Sequence, residues 1–297
     1  MRLSNSLLTV FRGFLRGFMQ SFVRVLKQIL RDPYGRIGFM IILLITLLGG
    51  LAPLLPLPDY NSLAYPRLQP PSLQHLLGTD SLGRDLLSRV VWGARVSLLV
   101  GFVAAGVSAI LGILLGLLAG YYGGLIDSVI SRIMDVFFVI PTFFIALTLV
   151  AIYGSNIYLI MLIIGATTRP TTARIMRAQV YVVREHPYVE AVKALGAGDL
   201  RIMIRHVLPA SIPPAIANTI LLVGNAIIIE AGLSYLGLGD PNMPSWGRII
   251  YEGQPYIASA WWISLFPGVF LVITVLGLNF LGDSLYRIFT PRIRMQG

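Results

Sequence analysis

Five stretches of this chain, residues 37–58, 96–126, 136–168, 206–229 and 253–282, contain no Asp, Glu, Lys or Arg. Each is at least about as long as the roughly 20 apolar residues that carry a helix across about 30 Å of hydrocarbon. Only 12% of the residues are charged and 56% are hydrophobic, with a mean hydropathy of +0.78; a water-soluble domain carries roughly 25% charged residues. The expectation is an all-α, multi-spanning membrane protein.

The number of spans follows from the ends. Seven basic residues (Arg2, Arg12, Arg16, Arg24, Lys27, Arg31 and Arg36) precede the first stretch against one acid, Asp32, and Arg287, Arg292 and Arg294 close the chain. The positive-inside rule places both ends in the cytoplasm, which requires an even count. The stretch 136–168 is interrupted by Gly154-Ser155-Asn156, a turn signal. It is therefore divided between a helix 3 beginning near Asp127 and a helix 4 running past Arg169 toward Arg177. Helices near 209–231 and 261–283 complete six. In that arrangement 18 of the 23 Lys and Arg lie on one side.

The organisation that follows is an amino-terminal segment, 1–35, a six-helix membrane domain, 36–290, and a cytoplasmic tail, 291–297. Within the membrane domain, loops of about 59–95 and 232–260 are external and a loop of about 178–208 is cytoplasmic. On a 100° wheel Arg12, Arg16, Gln20, Arg24, Lys27 and Arg31 share one arc, while Phe11, Phe14, Phe18, Phe22, Val25 and Ile29 oppose them. That pattern predicts a non-spanning amphipathic helix on the cytoplasmic leaflet, its cations toward anionic headgroups.

Little in the chain suggests catalysis. There is no cysteine, so thiolate metal sites, disulfides and Cys nucleophiles are excluded. The three histidines, His75, His186 and His206, are scattered and suggest no metal site. The phosphate loop G-x-x-x-x-G-K-[ST], the elbow G-x-S-x-G and the zinc motif H-E-x-x-H are all missing. The chain is expected to be no enzyme and to hold no cofactor. Its net charge of +10 belongs to segregated membrane flanks, so no nucleic-acid partner is expected.

The most informative segment lies between helices 4 and 5. Glu190 to Leu195 is good helix material, Gly196-Ala197-Gly198 forces a stop and a change of direction, and Leu200, Ile202, Met203 and Val207 restore helical spacing before Pro209. The product is a short cytoplasmic helix with a glycine elbow; its plainer reading is a hairpin that merely joins two spans.

The run Glu190-Ala191-Val192-x-x-x-Gly196 followed by Leu208-Pro209 resembles the E-A-A loop of the membrane subunits of ATP-binding-cassette importers. Three further regions resemble the dipeptide/oligopeptide C-type permeases within that group. They are Leu77-Gly78-Thr79-Asp80-Ser81-Leu82-Gly83-Arg84-Asp85 with Gly93-Ala94-Arg95-Val96-Ser97-Leu98; Arg132-x-x-Asp135 with Pro141; and Leu236-Gly237-Leu238-Gly239 with Pro244-Ser245-Trp246-Gly247 and Asn279-x-x-Gly282-Asp283. The resemblance covers about residues 32–294 and departs at Val192, where the motif usually has Ala, so that a helix expected to dock carries two extra methyl groups.

This resemblance implies a type I importer permease fold and a role the residues alone do not give. The chain would form half of a pathway through the cytoplasmic membrane, beside a related B-type permease subunit. An external solute-binding protein would deliver peptides, and two ATPase subunits holding ATP and Mg would drive transport. Glu190, Ala191, Val192 and Gly196 would form the ATPase-coupling element, and Leu208 and Pro209 would pass its motion into helix 5. Glutathione, nickel chelates and oligosaccharides are alternative cargoes, and a stand-alone secondary transporter or channel is the alternative function.

Other features carry paired readings. Ala104, Ser108, Gly112, Gly116 and Gly120 repeat at four-residue spacing, which suits a packing seam within the subunit or, less readily, one with another subunit. Asp135 is expected to pair with Arg132 one helical turn away. Glu230 could face a pathway opening. Asp80, Arg84 and Asp85 either contact the external protein or brace their own loop, and Trp246, Trp261 and Trp262 are expected at the outer interface.

Overall fold

The computed structural model describes residues 23–290. Most of the expected amphipathic amino-terminal helix, and the tail 291–297, lie outside that range. Residues 23–31 are helical with Arg24, Lys27 and Arg31 exposed. Ile29 is buried in a cluster with Ala217 and Leu285, against which Val25 packs. The apolar side of this described part therefore rests on the protein.

Helix α1 (Pro33–Leu51) starts at Asp32, whose Oδ2 accepts from the Gly35 amide, with proline in the first turn where its missing N–H costs nothing. The same oxygen accepts from Arg287 at 2.8 Å, which ties the start of α1 to the end of α10 (Trp262–Phe289). Pro53 ends α1, in a 3-10 turn over Ala52–Leu54. α2 (Leu86–Tyr122) has 37 residues, about 55 Å of helix. It begins three turns earlier than the charge-free stretch suggested, because Arg89 is neutralised by buried partners described below.

The expected helix 3 is two helices. α3 (Gly124–Val139) and α4 (Thr142–Tyr153) meet at an 85° bend. Proline at 141 cannot donate and pushes the residue before it out of the helical region, and Ile140 is accordingly extended, φ −95°, ψ 122°. The turn at Gly154-Ser155-Asn156 falls where the sequence placed it. α5 (Ile157–Arg184) follows with its first amides capped twice, Tyr158 by Asn156 Oδ1 and Ile157 by Asp240 Oδ2.

After α5 come α6 (Pro187–Ala194), α7 (an α turn Asp199–Ile202, a π turn Met203–Val207 and an α turn Leu208–Ser211), α8 (Pro213–Tyr235) and α9 (Trp246–Gly253), before α10. Four helices, α1, α2, α8 and α10, are long and apolar enough to cross a bilayer, and the bent pair α3–α4 makes a fifth if it is one span. α5 has the length, 28 residues, but its second half is rich in Arg and Thr and it is not among the helices apolar enough to cross, so the described residues give four or five candidate spans where the sequence led to six.

The small-residue stripe on α2 is a seam inside the subunit. α2 and α5 lie side by side and parallel: a Cβ added at Gly116 would sit 2.5 Å from the Ala173 carbonyl oxygen, one at Gly120 2.7 Å from that of Arg177, and one at Gly165 2.7 Å from that of Ala104. Backbones this close leave room for hydrogen only. Side chains such as Leu44 on α1 and Val272 on α10 point outward and are more than half exposed, the inversion expected where lipid replaces water.

Candidate functional site

The connection between α5 and α8 is built from strong local signals. His186, preceding Pro187, is extended at φ −72°, ψ 141°, which sets a corner before α6. Eight residues later α6 stops in a Schellman motif: the Gly196 amide donates to the Lys193 carbonyl and the Ala197 amide to that of Val192. Gly196 carries the required left-handed conformation at φ +82°. Val192 and Ala197, the apolar pair that accompanies such a motif, both pack on the cluster formed by Leu117, Met176, Val180, Ile202 and Met203.

That core fixes which way α6 faces. Val189 is buried and Val192 half-buried, while Glu190 and Ala191 are exposed and Leu195 is 87% exposed. Val192 therefore seats α6 on its own subunit, and its extra methyl groups do not lie on the outward surface, contrary to the sequence expectation. A groove of about 620 Å³ runs between α6 and the ends of α2 and α5, with Glu190, Lys193, Arg184 and Tyr121 along it. Tyr121 Oη donates to Asp199 at 2.8 Å and anchors the start of α7 to α2.

Leu208 and Pro209 sit where helix geometry changes. Pro209 has no amide to give to the turn before it, and that turn, Met203–Val207, is π-helical, an irregularity frequent at functional sites. Leu208 is half-buried against the core that holds Val189, and Pro209 is exposed. The structure thus brings Glu190, Ala191, Val192, Gly196, Leu208 and Pro209 into one cantilever on the end of the bundle. α5 remains helical to Arg184, so the connection between α5 and α8 begins later than the expected 178.

At the opposite end Asp80, Arg84 and Asp85 are buried. Asp80 Oδ2 accepts from Arg84 Nε and from Arg89 Nη1 at 2.8 Å, and Glu252 Oε2 accepts from both Arg84 and Arg89 at 2.6 Å. Arg248 completes the cluster on Glu252 Oε1 at 3.0 Å. Burial pushes the Glu252 carboxyl up, but Arg89, then Arg84 and Arg248, hold it below the ordinary carboxylate range. Asp85 caps α2 through the Ser88 amide and meets His75 Nδ1 at 3.1 Å. The charged run braces its own loop, and its ionic atoms face inward.

Sequence reading missed Glu252, because nothing local marks an acid as the partner of an arginine 168 positions away. Two further expectations are corrected. Asp135 bonds Arg174 across helices at 2.8 Å and not Arg132; an Arg on the adjoining helix outcompetes one on the same helix. Glu230 is 1% exposed, with Oε1 accepting from Ser234 and Ser245, so it fastens the α8–α9 connection and faces no opening. Trp246 is fully buried, with its indole N–H donating to Val90, and Trp262 is buried against Thr79; of these three only Trp261 is exposed. Among the described residues no group of three or more His, Asp or Glu could hold a metal ion.

Residues 112–295 match the family model described as the binding-protein-dependent transport system inner membrane component. The chain is 39% identical over 274 residues to a putative peptide transport system permease protein of Brucella abortus, covering 91% of this chain and 92% of that one. It is 39% identical over 270 residues to a dipeptide transport system permease protein of Alkalihalophilus pseudofirmus, covering 90% and 89%. A solved chain of the MetNI methionine ABC transporter, in inward-facing conformations, superposes on 69% of this chain and 98% of its own length with a TM-score of 0.55 at 20% identity. At that identity the likeness concerns the fold.

Proposed function

Because this chain belongs to the binding-protein-dependent transport system inner membrane components, and is a multi-pass permease subunit of an ATP-binding-cassette importer, we propose that α6 and its glycine elbow are the element through which separate ATPase subunits drive it. The observation that carries this is the division of α6 into two faces. Val189 and Val192 fasten it to the subunit, while Glu190, Ala191 and Leu195 are left outward on the end of the bundle that bears most of the Arg. A lever needs both a rigid seat and a free face. Gly196 lets the chain reverse beside that face, and the π turn before Leu208-Pro209 links it to α8.

On this reading ATP and Mg stay on the two ATPase subunits, the second half of the pathway is a B-type permease subunit, and both termini are cytoplasmic in the cell membrane. The cargo is a peptide, supported by the peptide and dipeptide systems of the relatives; glutathione, nickel chelates and oligosaccharides remain as alternatives. An external solute-binding protein meets the outer loops, where Asp80, Arg84 and Asp85 act by holding the shape that presents exposed Leu82.

The natural absence of cysteine makes the test direct. Ala191→Cys should cross-link to an ATPase subunit carrying a cysteine in its docking groove, and Glu190→Lys should lower substrate-stimulated ATP hydrolysis with the subunits still assembled. A cross-link that forms equally from Val192→Cys, on the half-buried side, would oppose this orientation of α6.

A further inference from the structure

The connection from α1 to α2 carries an exposed apolar tip. Residues 60–79 contain one Arg, Arg67, and no Lys, Asp or Glu. Leu73 is 98% exposed and Leu76 60%. The Ser72–His75 turn is closed by the Ser72 amide donating to the His75 carbonyl at 2.8 Å and the His75 amide donating to Ser72 Oγ at 3.1 Å. Pro71 and Leu76 leave the two ends of that turn, so exposed Pro71, Leu73 and Leu76 are presented together. A grouped apolar patch of this kind marks a contact with another molecule.

The tip is held rigidly. Pro70 and Pro71 fix the approach of the chain. Behind them the Gln69 amide donates to Thr79 Oγ1 and the Thr79 amide to the Gln69 carbonyl, each at 2.9 Å. The His75 ring stands edge-on to Tyr65 with centroids 4.5 Å apart, and its Nδ1 lies 3.1 Å from Asp85 Oδ2. At the root, Leu68 is the one non-glycine among the described residues with a positive φ, +55°; such a conformation persists where the surroundings over-determine it. Leu73 is therefore held outward by structure, and docking would cost little ordering entropy.

Its height excludes the lipid tails. Asp85 caps α2, and the charge-free part of that helix begins only at Val96, ten residues or about 15 Å beyond Leu86. The end of α1 is at the same level, since a Cβ added at Gly49 would sit 2.9 Å from the Arg95 amide nitrogen. His75, held on Asp85, thus stands about 15 Å outside the hydrocarbon, and the two residues from His75 to Leu73 span at most about 7 Å. An apolar tip at that height meets protein.

We propose that the Pro71–Leu73–Leu76 tip seats in an apolar pocket on the external solute-binding protein, with Leu73 as the central knob. The tip is continuous with the membrane domain: from His75 the path runs to Asp85 and through it to the Ser88 amide in the first turn of α2. Docking therefore bears directly on the start of the longest helix. This inference rests on the importer reading and names the contact through which delivery is made.

The test uses the complete complex in lipid nanodiscs, where the outer face is open to added binding protein. The concentration of liganded binding protein that gives half-maximal ATP hydrolysis should rise at least about tenfold in Leu73→Asp and by less in Leu73→Ala, with the rate at saturation kept. The melting temperature should stay at the wild-type value, since Leu73 is almost free of its own chain. Gln74→Cys, the single thiol of this chain, carries an environment-sensitive fluorophore beside the knob. It should shift to the blue when liganded binding protein is added and should not be quenched by brominated lipid tails. Unchanged half-saturation in Leu73→Asp, or quenching by the brominated tails, would overturn the assignment. Wild-type ATP hydrolysis that ignores the binding protein would strike the importer reading instead; a blue shift on adding that protein would then still support the contact, and its absence would overturn it.

Discussion

Replacing Gly196 isolates a backbone effect from every packing effect. A Cβ added there meets nothing within 4 Å, so no neighbour has to move. What opposes a side chain is φ +82°, which costs an L residue about 1–2 kcal/mol and a β-branched one at the upper end or beyond. That is roughly a 5- to 30-fold loss in the population of the native elbow. Gly198, two residues on, is also open around an added Cβ but is extended at φ −70°, ψ 152°, a conformation valine accepts. Coupling should therefore fall in the order Gly196→Asn, Gly196→Ala, Gly196→Val, since Asn tolerates the left-handed region, while Gly198→Val stays near wild type. The assay is uptake and substrate-stimulated ATP hydrolysis in vesicles, normalised to co-purified subunits. Equal activity of Gly196→Val and Gly198→Val would refute the reasoning.

Glu252→Ala should destabilise the outer loops by about 3–5 kcal/mol, because it leaves the buried Arg89 without one of its two carboxylates; thermal unfolding in detergent measures it. Since the folded Glu252 carboxyl titrates below its ordinary value of 4.5, the stability it contributes is complete above that pH and is lost as pH falls through the lowered value. Glu252→Gln should remove that part of the acid sensitivity. Asp240→Ala should cost about 1 kcal/mol by uncapping the Ile157 amide, read as a lower melting temperature. Gly116→Leu, driven onto the Ala173 carbonyl, should reduce assembled protein, whereas Gly106→Leu, with open space around its Cβ, should not.

Patterns that act along a helix were legible in the sequence. The turn at Gly154-Ser155-Asn156 and the stop at Gly196 follow from short-range rules, and each is found in place. What escaped depends on partners distant in sequence. The start of α2 was set ten residues late because a charge rule treats Arg89 as solvated, whereas Asp80 and Glu252 neutralise it. Asp135 chose Arg174 over the nearer Arg132 for the same reason. Pro141 was visible as a motif residue, yet only the structure shows that it turns one expected span through 85°. Within the coupling segment, glycine and proline positions were readable, but the division of α6 into seated and free faces needed the core beneath it.

The most direct test of the account is reconstitution by parts. This chain, its permease partner, the two ATPase subunits and the external binding protein are placed in vesicles, and uptake of a labelled dipeptide is followed with ATP, with ADP, and with each component omitted in turn. The account predicts uptake only with ATP and all components, and none from this chain alone under an ion gradient. Uptake by this chain without the ATPase subunits, or uptake by the complete assembly that is indifferent to ATP, would contradict it.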